Sequence, residues 1–161
     1  MSLDTRIRPA RPEDLPAIVG LVRELAAYER EPEAAVAVEE DFAAVLFGPQ
    51  PTVFAHVAVV EGEVVGLAVW FLTFSTWTGR QGIWLEDLFV VPQHRGSGLG
   101  KALLRELARI CVERGWTRLE WTVLDWNTPS IDFYRSIGAE PMDEWTTQRL
   151  AGEPLLALAR G

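Results

Sequence analysis

The stretch Arg95-Gly96-Ser97-Gly98-Leu99-Gly100-Lys101 decides how this chain is read. It follows an apolar run, Ile83 to Val91, and leads into a helix-patterned one, Gly98 to Arg114. A glycine-rich turn between strand and helix presents N–H groups that have no intrahelical partner, at the positive end of the helix dipole. Such a turn is a site for phosphate.

Two familiar nucleotide loops are excluded by named residues. A P-loop needs G-x-x-x-x-G-K-[ST]. Here Gly100-Lys101 is followed by Ala102, and Arg95 occupies the place of the first glycine. A dinucleotide fingerprint needs G-x-G-x-x-G after the first strand. Gly96 and Gly98 fit it, but Lys101 takes the third place, and the run lies past the middle of the chain. What remains is Arg95-x-x-Gly98-x-Gly100, which reads as a pyrophosphate cradle. Gly98 and Gly100 admit a ligand close to the backbone, and Arg95 and Lys101 add positive charge. Glycines alone would equally suit a plain turn. Arg95 before them and an amphipathic helix behind them favour phosphate.

Working outward, the pattern gives β-α-α-β-β-β-α-β-α-β-β. Thr5 to Pro9 reads as a strand, and Arg11-Pro12-Glu13-Asp14 starts a helix carrying Leu15, Ile18, Val19, Leu21, Val22, Leu25 and Ala26 at helical spacing. Glu31-Pro32 stops or kinks it. A second helix is expected over Val38 to Leu46. Strands follow at Val53 to Val60, Val64 to Phe71 and Ile83 to Val91, joined by turns at Glu61-Gly62 and Gly79 to Gly82. Gly115 caps the helix after the glycine run. Trp116 to Leu124 reads as a strand, Thr128-Pro129 opens a short helix to Ile137, and two weak strands are expected at Pro141 to Leu150 and Pro154 to Arg160. The class is α/β with mixed elements in a single domain: a mostly antiparallel sheet of about seven strands flanked by about four helices.

The 161 residues suffice for one domain with a sizeable core. A net charge of −8 argues against a nucleic-acid partner. It suits a cationic substrate, and equally mere solubility. No apolar run approaches the roughly 20 residues that cross a bilayer, so no membrane partner is expected. Met1 to Pro12 carries no apolar signal-like run, and the single Cys111 fits a reducing cytoplasm. His56 and His94 show no paired metal spacing, so no metal site is expected.

With its flanking strand and helix, the glycine run resembles the signature of the GCN5-related N-acetyltransferases (GNAT). A second block carries the likeness further: Asn127, Ser130 and Tyr134 within Leu124 to Tyr134, then Gly138-Ala139. A third is Ser75-Thr76-Trp77-Thr78-Gly79-Arg80, leading into Trp84-Leu85-Glu86-Asp87-Leu88-Phe89-Val90. Together they look like the diamine acetyltransferase branch, of spermidine/spermine or thialysine type. The resemblance covers nearly the whole chain and implies the GNAT fold, acetyl-CoA as cosubstrate, a small amine as acceptor and a homodimer.

It also implies roles. Gly96, Ser97, Gly98, Leu99, Gly100 and Lys101 would hold the cofactor's pyrophosphate with Arg95. Leu88, Phe89 and Val90 would lend backbone groups to its pantetheine arm. Asn127 and Ser130 match cofactor-contacting positions, although local helix capping explains them equally well. Tyr134 matches the family's acid and its cofactor contact: a phenol of pKa about 10 can protonate a departing thiolate, whose thiol has a pKa of about 8.5. A ring packed in its helix is the alternative. Glu86 is the candidate base, acting through water, or else a charge that only binds substrate. Strand alternation separates Glu86 from Asp87 unless a bulge intervenes. Tyr28-Glu29, Trp77, Asp87 and Glu144 match acceptor-binding positions. Glu29 opens an acidic stretch through Glu31, Glu33, Glu39, Glu40 and Asp41, which could also be a solvated face. Ser75 stands where polyamine enzymes carry an acid, which favours a shorter amine, a lysine-like amino acid or a diamine. The alternatives are a protein lysine or N-terminal acetyltransferase, and a CoA-binding module without turnover.

Overall fold

The computed structural model describes residues 3–161. They form two compact units, one running to Thr122 and the other Val123–Gly161. In the first unit, helices α1 (Leu15–Tyr28), α2 (Glu39–Phe47) and α3 (Leu99–Arg114) accompany five strands. The strands are β1 (Ile7–Pro9), β2 (Phe54–Val60), β3 (Glu63–Ser75), β4 (Arg80–Val90) and β5 (Leu119–Glu120), in that spatial order. Pairing is antiparallel from β1 to β4 and parallel between β4 and β5. A parallel pair needs a crossover connection, and α3 supplies it. The glycine run lies where β4 hands over to that crossover.

Local chemistry explains the joints. Glu61 and Gly62 have φ of 52° and 82°, the left-handed pair of a tight hairpin. The β3–β4 turn falls at residues 76–79, so the expected turn at Gly79 to Gly82 is misplaced. Gly82 lies inside β4, where a Cβ would stand 2.7 Å from the Arg118 carbonyl oxygen. Glycine there lets the chain entering β5 come close. Asp14 accepts from Arg11 N–H at 2.7 Å and forms a two-pronged ion pair with Arg8 at 2.7 and 3.0 Å, tying β1 to the start of α1.

The sheet buries both faces. On one, Ile18 and Leu21 of α1 and Leu46 of α2 pack with Ala55, Val57, Leu67, Val69 and Phe89. On the other, α3 lies against β2, β3 and β4 and buries Leu99, Leu103 and Leu107.

The described residues hold five strands and five α-helices instead of about seven and four. Trp116 to Leu124 shrinks to Leu119–Glu120, which pair only with Ile83 and Trp84. Beyond Trp84 the β4 strand carries an extra residue, and such a bulge bends a strand away from its neighbour. In the second unit, α4 (Thr128–Ser136) agrees with the sequence reading, whereas Pro141 to Leu150 forms no strand. Pro154 to Arg160 lies in a helix, α5 (Gly152–Arg160). Its Leu155, Leu156, Ala157, Leu158 and Ala159 are strong helix formers, with no β-branched residue among them. Pro154 falls in the first turn, where its missing N–H costs no helical bond.

Candidate active site

The loop after β4 has the shape its sequence demands. Gly96 and Gly98 adopt φ of 79° and 81°. A Cβ built on Gly96, Gly98 or Gly100 would meet nothing within 4 Å, so the cradle is open on its ligand side. Ala102 N–H makes the first helical bond, to Gly98 O at 2.9 Å. The N–H groups of Leu99, Gly100 and Lys101 therefore precede the ladder of a 16-residue helix. Arg6 of the segment entering β1 donates to Ser97 O at 3.2 Å and steadies the loop from outside. These residues fit a pyrophosphate: backbone donors, a positive helix end and no side chain in the way.

Among the described residues, no strand pairs with the outer edge of β4 beyond Trp84. Val91 N–H donates to Val65 O at 2.9 Å, and Gly66 opposes Val90. Hydrogen-bonded and non-bonded pairs alternate in an antiparallel ladder. Leu88 and Val90 therefore turn their N–H and C=O groups outward, and Phe89 turns its own toward β3. The Val90 carbonyl accepts from Arg95 Nε at 3.0 Å.

The Arg95 side chain does not extend along the glycine loop. It folds back, with its guanidinium carbon 5.0 Å from the Tyr28 ring centroid and 5.4 Å from that of Phe89. Tyr28 ends α1 and Glu29 caps it. The chain leaves through Arg30 at φ 67°, with Glu31 N–H bonded to Ala26 O at 2.8 Å. This left-handed exit fixes the end of the helix next to Glu29.

The bulge in β4 resolves the question of the two adjacent carboxylates. Val69 opposes Asp87 while Trp70 opposes Leu85, so Glu86 is the extra residue. Two residues facing one across a bulge lie on the same side of the sheet. That side is the α1 side, which also carries Val69 and Phe89. Trp84, two positions back, donates from Nε1 to Glu86 Oε2 at 2.8 Å and fixes that carboxylate. The Asp87 side chain is partly buried, and its carboxylate accepts no hydrogen bond from any described residue. Burial, with Glu86 and Glu29 close by, pushes its carboxyl up to about 6. Burial also raises Glu29. The geometry thus brings Glu29, Glu86 and Asp87 together as an anionic face suited to a cation.

Trp77 is 82% exposed and lies in the β3–β4 turn, where Ser75 Oγ accepts from Thr78 N–H at 3.2 Å. Glu39, Glu40 and Asp41 fill the first turn of α2, and Asp41 accepts from Val38 N–H at 2.9 Å. Their charge serves a helix start. In the second unit, Asn127 is buried and accepts from Ser130 N–H at 3.4 Å, capping α4. Tyr134 is half-buried on that helix, its ring 5.6 Å from that of Phe133. Glu144 is exposed between α4 and α5. Sequence reasoning missed the anchoring role of Trp84, although the Trp-x-Glu spacing on a strand signals it.

Residues 18–139 match the family described as Acetyltransferase (GNAT) family. The chain is 36% identical to thialysine N-epsilon-acetyltransferase of Mus musculus, over 96% of this chain and 97% of that one. It is 30% identical to an L-ornithine N5-acetyltransferase of Arabidopsis thaliana, over 96% and 87%. Among solved structures it is similar to an integron cassette protein from the mobile metagenome of V. cholerae, with a TM-score of 0.81 and 31% identity over 100% of this chain and 99% of that one.

Proposed function

The chain belongs to the GNAT acetyltransferase family and is an N-acetyltransferase, and from that premise we propose that it acetylates a primary amine of a small cationic substrate. The substrate class is a diamine, a polyamine or a lysine-like amino acid. The shorter, lysine-like end of that range is favoured by Ser75 and by the likeness to enzymes named for thialysine and ornithine. The single observation that carries the reading is the anionic face that Glu29, at the end of α1, forms with Glu86 and Asp87 of the strand that leads into the open glycine cradle.

The family uses acetyl-CoA, and that cosubstrate supplies the thioester carbonyl. The backbone of Gly96 to Lys101 holds its pyrophosphate, and the outward groups of Leu88 and Val90 hold its pantetheine arm. Asp87 and Glu29 hold the ammonium, with Tyr28, Trp77 and Glu144 as further substrate contacts. Glu86, kept in place by Trp84, takes the ammonium's proton through an ordered water, leaving a neutral amine to attack the thioester carbon. As the C–S bond breaks, the Tyr134 phenol would give its proton to the sulfur and recover one from the attacking nitrogen, which sheds it in becoming the amide, and Asn127 orders the start of its helix. The enzyme works as a single-domain subunit of a cytoplasmic homodimer. Among the described residues no His/Cys/Asp/Glu group is arranged to hold a metal ion, and no helix is long and apolar enough to cross a membrane.

The test is thiol release from acetyl-CoA with thialysine, lysine, ornithine, putrescine, spermidine and a lysine-containing peptide. Turnover with the small amines and little with the peptide is expected. Turnover with the peptide alone would replace this reading with a protein acetyltransferase. CoA binding without thiol release would replace it with a binding module. Tyr134→Phe should lower kcat by about a hundredfold while CoA affinity changes little. An unchanged kcat removes Tyr134 from the acid role.

A further inference from the structure

The side chain of Arg95 is occupied in a way that the phosphate motif does not explain. Its Nε donates to the carbonyl of Val90, the last residue of β4. Its guanidinium carbon stands 5.0 Å from the Tyr28 ring centroid and 5.4 Å from that of Phe89. Both separations lie within the range of cation–π attraction, about 6 Å. Tyr28 precedes Glu29, and Phe89 follows Asp87 by two residues on the same face of β4. One guanidinium therefore bridges the end of α1, the end of β4 and the first residue of the glycine loop.

We infer that Arg95 is a positioning residue for the amine site: it clamps Tyr28, and through it Glu29, against the strand that carries Glu86 and Asp87. The inference rests on the reading of that carboxylate face as the acceptor site. In this arrangement the phosphate is held by loop backbone, and Arg95 sets the spacing between the carboxylates contributed by α1 and those contributed by β4. A planar guanidinium suits the task, because it faces two rings and still directs Nε to a carbonyl. A lysine offers one point charge and cannot do both.

The experiment compares two acetyl donors. Acetyl-CoA carries the pyrophosphate, whereas acetyl-pantetheine has the same thioester and arm without any phosphate. Arg95→Met and Arg95→Lys are assayed with each donor against a small amine that the unsubstituted protein acetylates. Arg95→Met should raise the KM for the amine about fivefold with both donors alike, the scale of two partly exposed cation–π contacts. The Kd for CoA should change less than twofold, and Arg95→Lys should recover part of the loss. Adding Arg95→Met to Tyr28→Leu should cost less than it does alone, because its partner ring is already gone. A loss that appears as weaker CoA binding and vanishes with acetyl-pantetheine would overturn the inference and make Arg95 a phosphate ligand. An unchanged amine KM in Arg95→Met, with fold confirmed by circular dichroism, would also overturn it. Absence of turnover by the unsubstituted protein with every small amine overturns the acceptor-site reading itself, and this inference with it.

Discussion

Two polar side chains sit in opposite faces of one sheet, and they are treated differently. His56, on the α3 side of β2, is 5% exposed and fully engaged. Trp70 donates from Nε1 to its Nδ1 at 3.0 Å, and Glu106 Oε1 lies 4.0 Å from its Nε2. Glu106 is itself paired with Arg109. Burial holds the imidazole below its ordinary pKa, with Glu106 opposing that shift and Arg109 adding to it. Because Nδ1 accepts from Trp70, the neutral ring carries its proton on Nε2, facing Glu106. Asp87, on the α1 side of β4, has no such donor and two carboxylates for neighbours. A buried polar group that the protein satisfies is structure. A partly buried carboxylate with no protein donor is where the proposed function seats the substrate's ammonium.

The largest expected effect falls on the unsatisfied side. Asp87→Asn should lower kcat/KM for the amine by about a hundredfold, read in steady-state kinetics. A loss under threefold would place the substrate's charge elsewhere. On the satisfied side, His56→Leu leaves the Trp70 N–H buried without an acceptor and should cost about 2 kcal/mol of stability in urea. Its kcat/KM should stay within twofold of the unsubstituted protein, and a large kinetic loss would erase the distinction.

The same contrast has a pH signature. Asp87 titrates near 6 in the fold against an ordinary 3.8. The folded state therefore binds more protons than the unfolded state between those values, and stability falls as pH rises from about 4 to about 6. Asp87→Asn removes that cost. The variant should gain on the order of 2 kcal/mol over the unsubstituted protein at pH 8 and little at pH 4. Equal gains at both pH values would show that the carboxylate is not strained by the fold. The smallest effect concerns the anchor of Glu86. Trp84→Phe keeps the ring and loses the bond to Oε2, and should lower kcat/KM about two- to threefold. No change at all would mean that Glu86 needs no anchor.

The sequence was most legible where local rules are strict. The glycine run needed left-handed backbone at a strand-to-helix joint, and it adopts it at Gly96 and Gly98. The Glu61-Gly62 turn and the helical stripes of α1 and α3 follow from equally local signals. Adjacent Glu86 and Asp87 were legible as a pair, but their shared face was not. It depends on a bulge against Val69, a long-range pairing that no residue of β4 announces. The fold of Arg95 back onto Tyr28 and Phe89 was hidden for the same reason, since those rings come from two other elements. The C-terminal stretch misled because its continuous apolar run, Leu155 to Ala159, consists of Leu and Ala, which prefer a helix when no strand pairs with them.

The most direct measurement of the central claim is proton release on amine binding. Thialysine or ornithine is titrated at pH 6 into the protein loaded with desulfo-CoA, in two buffers of different ionisation enthalpy. With its carboxyl pushed up to about 6, Asp87 is partly protonated at that pH, and a bound ammonium should drive that proton off, so that binding releases a measurable fraction of a proton per site. Asp87→Asn should release almost none. Equal proton release from both proteins, or tight amine binding to Asp87→Asn, would contradict the account.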